Sequence, residues 1–493
     1  MRFPKFSSAY VRNINARIFY LLAFLVPLTV RVLPEILMGR YIVGFDTVSY
    51  YVPVTLRWVN SGVGFFEFMA YAPLFYVLLV QLTSLGVPLT VSLKALPPIL
   101  LGLLGLTIFI YAKKALGWSG WWSLSVSFLA TLYFVGLRIS WDMLRSELGL
   151  IFLFLFLTLL HEDLNEKSWK RFGLLSLVMA LLVLSHQLVG VVMFAIVSVL
   201  VLQKVIKREY FEGKNLILCS LPAVALFGLT VYASYVVVPS TESAGWFALF
   251  GFSSFFDVAV ATLGFLVYCF LPLLPFAFLG FRFFSNLELK TWSAWCLIAV
   301  LFPIVSPYAI FPLSYRWILL LVFPLSFFVV EGFKRFNGRW RKAVLSGVSV
   351  LLSFSFVLLP AGFAFPYFRA FPYYVPSSML QNSVPSCDCE DVVMALAWVN
   401  AGLGSDGVLL VHDAFHGWAL LYLSDSSRVV CYAYGDPEVA ARELFEAGVK
   451  RLFVVWWVSG EGWHGQTSLS SCFVEVFRSG RIAIYEFCDN VAV

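Results

Sequence analysis

The dominant pattern along the chain is a succession of apolar runs separated by short polar segments. Most runs are about 20 residues long, which as a helix is enough to cross the ~30 Å hydrocarbon layer of a bilayer. The first extends from Ile18 to Met38. It is too long for a signal-peptide core and has no small-residue cleavage site, so it reads as a retained helix. No lipidation motif is evident. Further runs begin near Leu96, Trp121, Leu148, Phe172, Leu188, Leu216, Val258, Trp292, Trp317 and Ala343, giving about eleven spans. No internal repeat and no low-complexity tract is visible.

The polar segments alternate in charge. Basic clusters stand at Lys113-Lys114, at Lys167, Lys170 and Arg171, and at Lys204, Lys207, Arg208 and Lys214. They recur at Arg282 and Lys290 and at Lys334, Arg335, Arg339, Arg341 and Lys342. The positive-inside rule assigns these loops, and the basic N-terminal stretch, to the cytoplasm. The segment Tyr71 to Val87 is apolar enough to cross, but a crossing would invert every later loop. Beyond it the loops read as cytoplasmic hold sixteen Lys or Arg and the opposite loops five. That imbalance makes residues 71–87 a juxtamembrane or re-entrant helix within the first outer loop, residues 39–95.

The pattern changes after Gly362. A Pro- and Tyr-rich connector, residues 364–385, follows the transmembrane part (residues 1–363) and reads as a semi-rigid link. Residues 386–493 have the composition of a soluble domain. Asp391–Asn400, Ala414–Tyr422 and Pro437–Ala447 have helical spacing. Gly407–His412, Arg428–Tyr432, Arg451–Trp456, Phe473–Phe477 and Ile482–Phe487 are short apolar runs bounded by turn residues, as strands are. The alternation predicts a small α/β unit. The fold class is therefore an α-helical polytopic membrane protein with a small C-terminal α/β extracytoplasmic domain.

Composition agrees. Of 493 residues 61% are hydrophobic and 13% charged, far from the balance of a soluble chain. The formal charge of +6 sits mostly in the short loops, so it reports orientation and not nucleic-acid binding. The expected location is the cytoplasmic (plasma) membrane, with the N-terminus in the cytoplasm and the C-terminal domain outside. Five of eight cysteines fall in that domain: Cys387, Cys389, Cys431, Cys472 and Cys488. An outer location permits disulfides, the odd count leaves at least one thiol over, and connectivity stays open. Free thiols are the alternative; Cys387-x-Cys389 with His412 or His416 matches a zinc site poorly.

The candidate chemistry lies on the outer side. Asp46 follows the first helix in GFDTVSYYVPVTLRW, with Tyr50, Tyr51 and Arg57 after it. Asp before Thr-Val-Ser is also a good helix N-cap. Lys94 begins the second span. Arg138, Asp142, Arg145 and Glu147 occupy what reads as a short turn, His186 another, and Arg316 the start of a later span. Each has a plain structural role available: snorkelling, an Asp142–Arg138 or Asp142–Arg145 pair, a turn cap. Together at one membrane face they suit transfer from a lipid-linked phosphate donor. Lys94, Arg138, Arg145 and Arg316 would bind the phosphate. A carboxylate would take the acceptor's proton, or paired acids would hold Mg²⁺ or Mn²⁺. His412, His416 and His464 read as residues at strand ends.

These features resemble the GT-C superfamily of polytopic glycosyltransferases, which includes protein O-mannosyltransferases, aminoarabinose transferases and the oligosaccharyltransferase catalytic subunit. Asp46 matches the essential acid of the first outer loop, and Ala72-Pro73-Leu74-Phe75-Tyr76 is similar to the juxtamembrane segment after it. Asp142, and Glu147 beside it, match further acids by location, and His186 resembles a His of a later outer turn. The second acid of the Asp-x-Asp or Asp-Glu pattern is replaced, since Thr47 and Val48 follow Asp46, and the WWDYG motif is absent. The resemblance implies a glycosyltransferase that uses a polyprenyl (dolichyl-type) phosphate sugar donor. Its acceptor would be a glycan, lipid or protein, in contact with membrane lipid. It implies Asp46 and His186 as catalytic residues and Asp46, Asp142 and Glu147 as metal ligands where a metal is used; Tyr50, Tyr51 and Arg57, which follow Asp46 in the same loop, are the candidate substrate contacts. A flippase or other transporter, and a non-catalytic glycan- or partner-binding protein, are the alternative readings.

Overall fold

A computed structural model describes residues 8–161, 169–237, 255–305, 314–336, 338–360, 376, 378–404, 406–433, 436–458 and 469–488. Most of the expected connector lies outside them, as does His464. The chain divides into two compact units. One comprises Met1–Leu33, Val63–Val77 and Ala95–Ser378; the other comprises Pro34–Gly62, Leu78–Lys94 and Met379–Val493.

The first unit is helical. Helix α1 (Ser8–Leu37) runs out of it into a π turn (Thr47–Tyr51) and α2 (Val52–Ser61) of the second unit. Then come α3 (Phe65–Ala70), α4 (Leu74–Ser84) and α5 (Leu89–Ile110). Helices α6 (Gly120–Leu132), α7 (Phe134–Asp142), α8 (Leu144–Leu160), α9 (Trp169–Ser185), α10 (Gln187–Ile206) and α11 (Tyr210–Val237) follow. The unit continues with α12 (Phe255–Phe270), α13 (Leu274–Phe283), α14 (Leu287–Val305), α15 (Ser314–Leu320), α16 (Val322–Arg335) and α17 (Arg339–Leu358). Among the described residues five helices are long and apolar enough to cross a bilayer, or seven if each of two bent pairs is one span. The protein is a multi-pass membrane protein, but these helices do not establish the expected eleven spans. Helix α4 has 11 residues, about 16 Å of rise, too short to cross alone.

Two breaks shape this unit. Helices α6 and α7 meet at 57° and the pair α12–α13 at 85°. The Tyr133 hydroxyl, at the first break, donates to the Cys269 carbonyl at 2.8 Å beside the second. A helix end leaves such carbonyls unpaired, and in a membrane protein they need a protein donor. Helices α13 and α16 cross backbone to backbone at Gly280 and Gly332. A Cβ on Gly280 would overlap the Phe328 carbonyl, and one on Gly332 the Phe276 carbonyl. Small residues at such a crossing give packing area that lipid would otherwise supply.

The second unit is built on a five-stranded sheet of order β2-β1-β3-β5-β4. Its strands are β1 (Gly407–His412), β2 (Val429–Ala433), β3 (Arg451–Trp457), β4 (Phe473–Ser479) and β5 (Ile482–Phe487). The first three are parallel and the last two antiparallel. Helices α18 (Cys389–Gly402), α19 (Asp413–Tyr422) and α20 (Pro437–Glu446) complete it. The α/β expectation is met nearly element for element. Leu410, Leu452, Val454, Trp456, Phe473 and Phe487 form the core with Ala441 of α20. Asp388 is buried beneath the sheet, where Arg481 grips both its oxygens at 2.9 and 3.0 Å. The disulfides expected here are not formed: the cysteines are free. The Cys389 sulfur packs against Pro385 and Asn382, and that of Cys472 against Arg442 and Glu438.

The loop after α1 is fastened to this sheet unit. The Asn382 amide donates to the Ile42 carbonyl at 2.8 Å, and the Gly44 N–H to the Gln381 carbonyl at 3.1 Å. Gly44 has φ +99°, a conformation that favours glycine. Gly417 of α19 leaves no room for a side chain because the Val48 carbonyl lies against it. Glu390 of α18 receives hydrogen bonds from both Arg40 and Tyr41.

Candidate functional site

The expected turn at residues 138–147 is instead the junction of two helices. Helix α7 ends at Asp142, Met143 breaks the helical path (φ −91°, ψ 50°), and α8 starts at Leu144. The apolar and polar residues there follow helical and not turn spacing, which the charged residues mask in the sequence. Arg138 and Asp142, one helical turn apart, form an ion pair with side chains 5% and 2% exposed. The Arg138 guanidinium also lies 5.0 Å from the Trp141 ring centre.

Arg145, in the first turn of α8, donates to the Tyr71 carbonyl and lies 5.6 Å from the Tyr76 ring centre. Glu147, two residues on, is fully buried. Gly149 brings α8 against the start of α10: a Cβ there would lie 3.4 Å from that of His186. His186 stands in extended conformation between α9 and α10, buried, its Nδ1 without a hydrogen-bond partner. Burial, and then the charges of Arg145 and Arg316, hold its imidazole well below the ordinary 6.5, so it is neutral. The structure thus gathers Arg138, Asp142, Arg145, Glu147, His186 and Arg316 in one region of the helical unit.

Sequence reasoning missed Arg31. It is fully buried on α1, and its Nε donates to the Ser140 carbonyl of α7 at 3.1 Å. Its charge acts on Glu147. An arginine inside an apolar helical run was the available signal. With it the region holds Arg31, Arg138, Arg145 and Arg316 against the carboxylates of Asp142 and Glu147. That excess of cations suits an anionic ligand. Asp142 is paired with Arg138, and among the described residues no three His, Cys, Asp or Glu side chains are grouped as ion ligands.

The other predicted residues belong to the second unit. Asp46 is already helical (φ −59°, ψ −24°) where the π turn starts, and its side chain makes no capping hydrogen bond. A capping residue has extended backbone, so the cap reading fails. Tyr51 is buried, while Tyr50 and Arg57 are exposed. Arg57 acts on His416, which lies within α19 and not at a strand end. His412 does end β1, where its Nδ1 accepts the Ala414 N–H at 3.1 Å. Lys94 has its ammonium fully engaged. It meets the Glu35 carbonyl at 3.0 Å, the Tyr41 carbonyl at 2.7 Å and the Glu35 carboxylate at 3.2 Å.

Also in the helical unit, a cavity of about 640 Å³ is walled almost wholly by apolar side chains of α1, α6, α13, α16 and α17. Its lining includes Leu137, next to Arg138, and Leu33, two residues from Arg31. With its bent membrane helices and small C-terminal sheet unit, the chain has the fold of two solved structures. Both are of ArnT from Cupriavidus metallidurans. The chain is similar to the form bound to undecaprenyl phosphate at a TM-score of 0.54, with 13% identity, covering 99% of this chain and 100% of that one. For the apo form the TM-score is 0.53, with 16% identity and 96% and 98% coverage. No family model and no curated protein matches the sequence.

Proposed function

We propose that the protein is a membrane glycosyltransferase that takes a sugar from a polyprenyl-phosphate carrier and passes it to an acceptor hydroxyl or amine on the outer face of the membrane. The observation that carries this reading is the buried cationic junction of α7 and α8 together with the apolar cavity in the same unit. A polyprenyl phosphate needs both, a cationic seat for its head and an apolar channel for its tail. The similarity to a structure with undecaprenyl phosphate bound supports the same ligand class.

In this reading the bond from the sugar's anomeric carbon to the phosphate oxygen breaks, and the lipid phosphate leaves with the electron pair. Arg138, Arg145, Arg316 and Arg31 are the candidates to stabilise that leaving charge, which in a buried site is worth more than in water. The acceptor's lone pair forms the new bond to the anomeric carbon and its proton passes to a base. Asp46 is the proposed base, on the likeness of its position to the superfamily's acid. Neutral His186 can accept a hydrogen bond from donor or acceptor. Asp142 is held by Arg138 and serves to position it. Lys94, with its donors engaged, is a positioning residue here and not a phosphate ligand.

The test is release of polyprenyl phosphate by the purified full-length protein from a panel of polyprenyl-phosphate sugars. Asp46→Asn is expected to lower turnover at least ~100-fold with the unfolding temperature unchanged, the usual scale for a general base. Wild-type turnover in that variant would overturn the assignment of the base. Vesicle transport of the same lipids without any glycosyl product would overturn the enzyme reading.

A further inference from the structure

The apolar cavity of the helical unit has two ends of different character. Its lining on α17 runs from Leu345 to Leu358, about 20 Å of helix rise. Phe356, near the second of these, meets Phe134 of α7 ring to ring at 6.4 Å, so Leu358 marks the end by the α7–α8 junction. Lys342, in the first turn of α17, lies 4.6 Å from the ring centre of Phe333, which also lines the cavity, so Leu345 marks the other end.

That other end is cationic and aromatic. The Lys334 ammonium lies 3.5 Å from the Trp118 ring centre and 5.5 Å from that of Trp122, a cavity-lining residue. Lys334 donates to Glu331 at 2.9 Å, which uses one of its three donors. Arg335 donates to the second Glu331 oxygen at 2.9 Å, and Arg335 and Arg282 lie 4.9 and 5.8 Å from the Phe283 ring centre. Lys342 is half-buried on Phe333 and makes no ion pair among the described residues. Four cations thus stand around the carboxylate of Glu331, an excess that attracts an anion. Two tryptophans of the same end, Trp121 and Trp340, are 70% and 85% exposed, as residues at headgroup level are. Inside the cavity the Ser125, Ser349 and Ser353 hydroxyls donate to carbonyls of their own helices, each at 2.9 Å, so the wall asks only for hydrocarbon.

We propose that this end binds an anionic phospholipid of the inner leaflet: Lys334 and Lys342 seat its phosphate, and an acyl chain fills the cavity between α6 and α17. The positive-inside rule assigns this end to the cytoplasm, whose leaflet is the negatively charged one. One leaflet's share of the hydrocarbon layer, ~15 Å, fits within the length of the cavity. A free phosphate would match the cations and leave the cavity unexplained. The polyprenyl carrier proposed above enters by the junction end, so the two lipids approach from opposite faces, and the phospholipid site stands independently of the transfer reaction.

Native mass spectrometry of the purified full-length protein tests this. The probes are phosphatidylglycerol and phosphatidylcholine with the same acyl chains, undecaprenyl phosphate, and millimolar inorganic phosphate as competitor. Phosphatidylglycerol binds more tightly than phosphatidylcholine, and inorganic phosphate does not displace it. Lys334→Gln and Lys342→Gln each weaken phosphatidylglycerol about fivefold, the worth of one cation at a membrane surface, and leave phosphatidylcholine and undecaprenyl phosphate unchanged. Ser349→Phe, which puts a ring into the cavity, weakens both phospholipids. The proposal is overturned if phosphatidylcholine binds equally well, if inorganic phosphate competes, or if both lysine variants bind phosphatidylglycerol as the wild type does. It is overturned also if Lys342→Gln weakens undecaprenyl phosphate as much as phosphatidylglycerol, or if Ser349→Phe leaves binding intact. Lys342→Gln removes no ion pair within the protein, and it decides alone should Lys334→Gln or Ser349→Phe fail to fold.

Discussion

Lys94→Met separates a structural clamp from a phosphate ligand. Lys94 lies in α5 and its ammonium holds the end of α1 through Glu35 and the following loop through Tyr41. Glu35 is 6% exposed and its partner 24%. Removing the cation strands a buried carboxylate and withdraws a donor from two carbonyls. Breaking one partner of a buried pair costs about 3–5 kcal/mol, and the partial exposure of Lys94 puts this case near the lower end, about 3 kcal/mol. The double change Lys94→Met with Glu35→Gln removes the uncompensated charge and should recover most of that loss, about 2 kcal/mol. The measurement is thermal or denaturant unfolding of the full-length protein beside turnover at matched folded fraction. Rescue of stability and turnover together in the double variant is the expected result. If Lys94→Met keeps wild-type stability while turnover vanishes, and Glu35→Gln restores neither, the lysine acts on substrate and the clamp argument is wrong.

Gly280→Ala puts a Cβ 2.6 Å from the Phe328 carbonyl carbon, so α13 and α16 must part. Such overpacking costs about 1–3 kcal/mol, and an unchanged melting temperature would contradict the backbone crossing. His416 titrates below its ordinary 6.5 through burial and then Arg57. The unfolded chain therefore binds more protons as pH falls through 6.5, and stability drops there, having been fully present above it. His416→Gln should shrink the loss of stability between pH 7 and pH 5, and Arg57→Gln should shrink it less. Equal losses in all three proteins would remove His416 as the source.

Much of the fold is legible locally. Apolar runs of membrane length, and short runs bounded by turn residues, are set by neighbours in sequence. Hence Ile482–Phe487 and Pro437–Glu446 are readable without coordinates. The charged stretch from Arg138 to Glu147 misleads because burial overrides its polarity. In water those residues would mark a turn; inside a helical unit they pair with each other and with α1, and stay helical.

The membrane class, the order of elements and the polar residues worth suspecting were thus determined by sequence alone, since each depends on local hydrophobicity and charge. Only the tertiary structure decided that Asp46 is no cap, that Lys94 is already occupied, and that Arg31 joins Arg138. It alone fastened the Ile42–Val48 loop to Asn382 and Gly417. Those outcomes depend on which distant backbone carbonyls a folded chain leaves for a buried cation or amide to satisfy, and no local pattern carries that information.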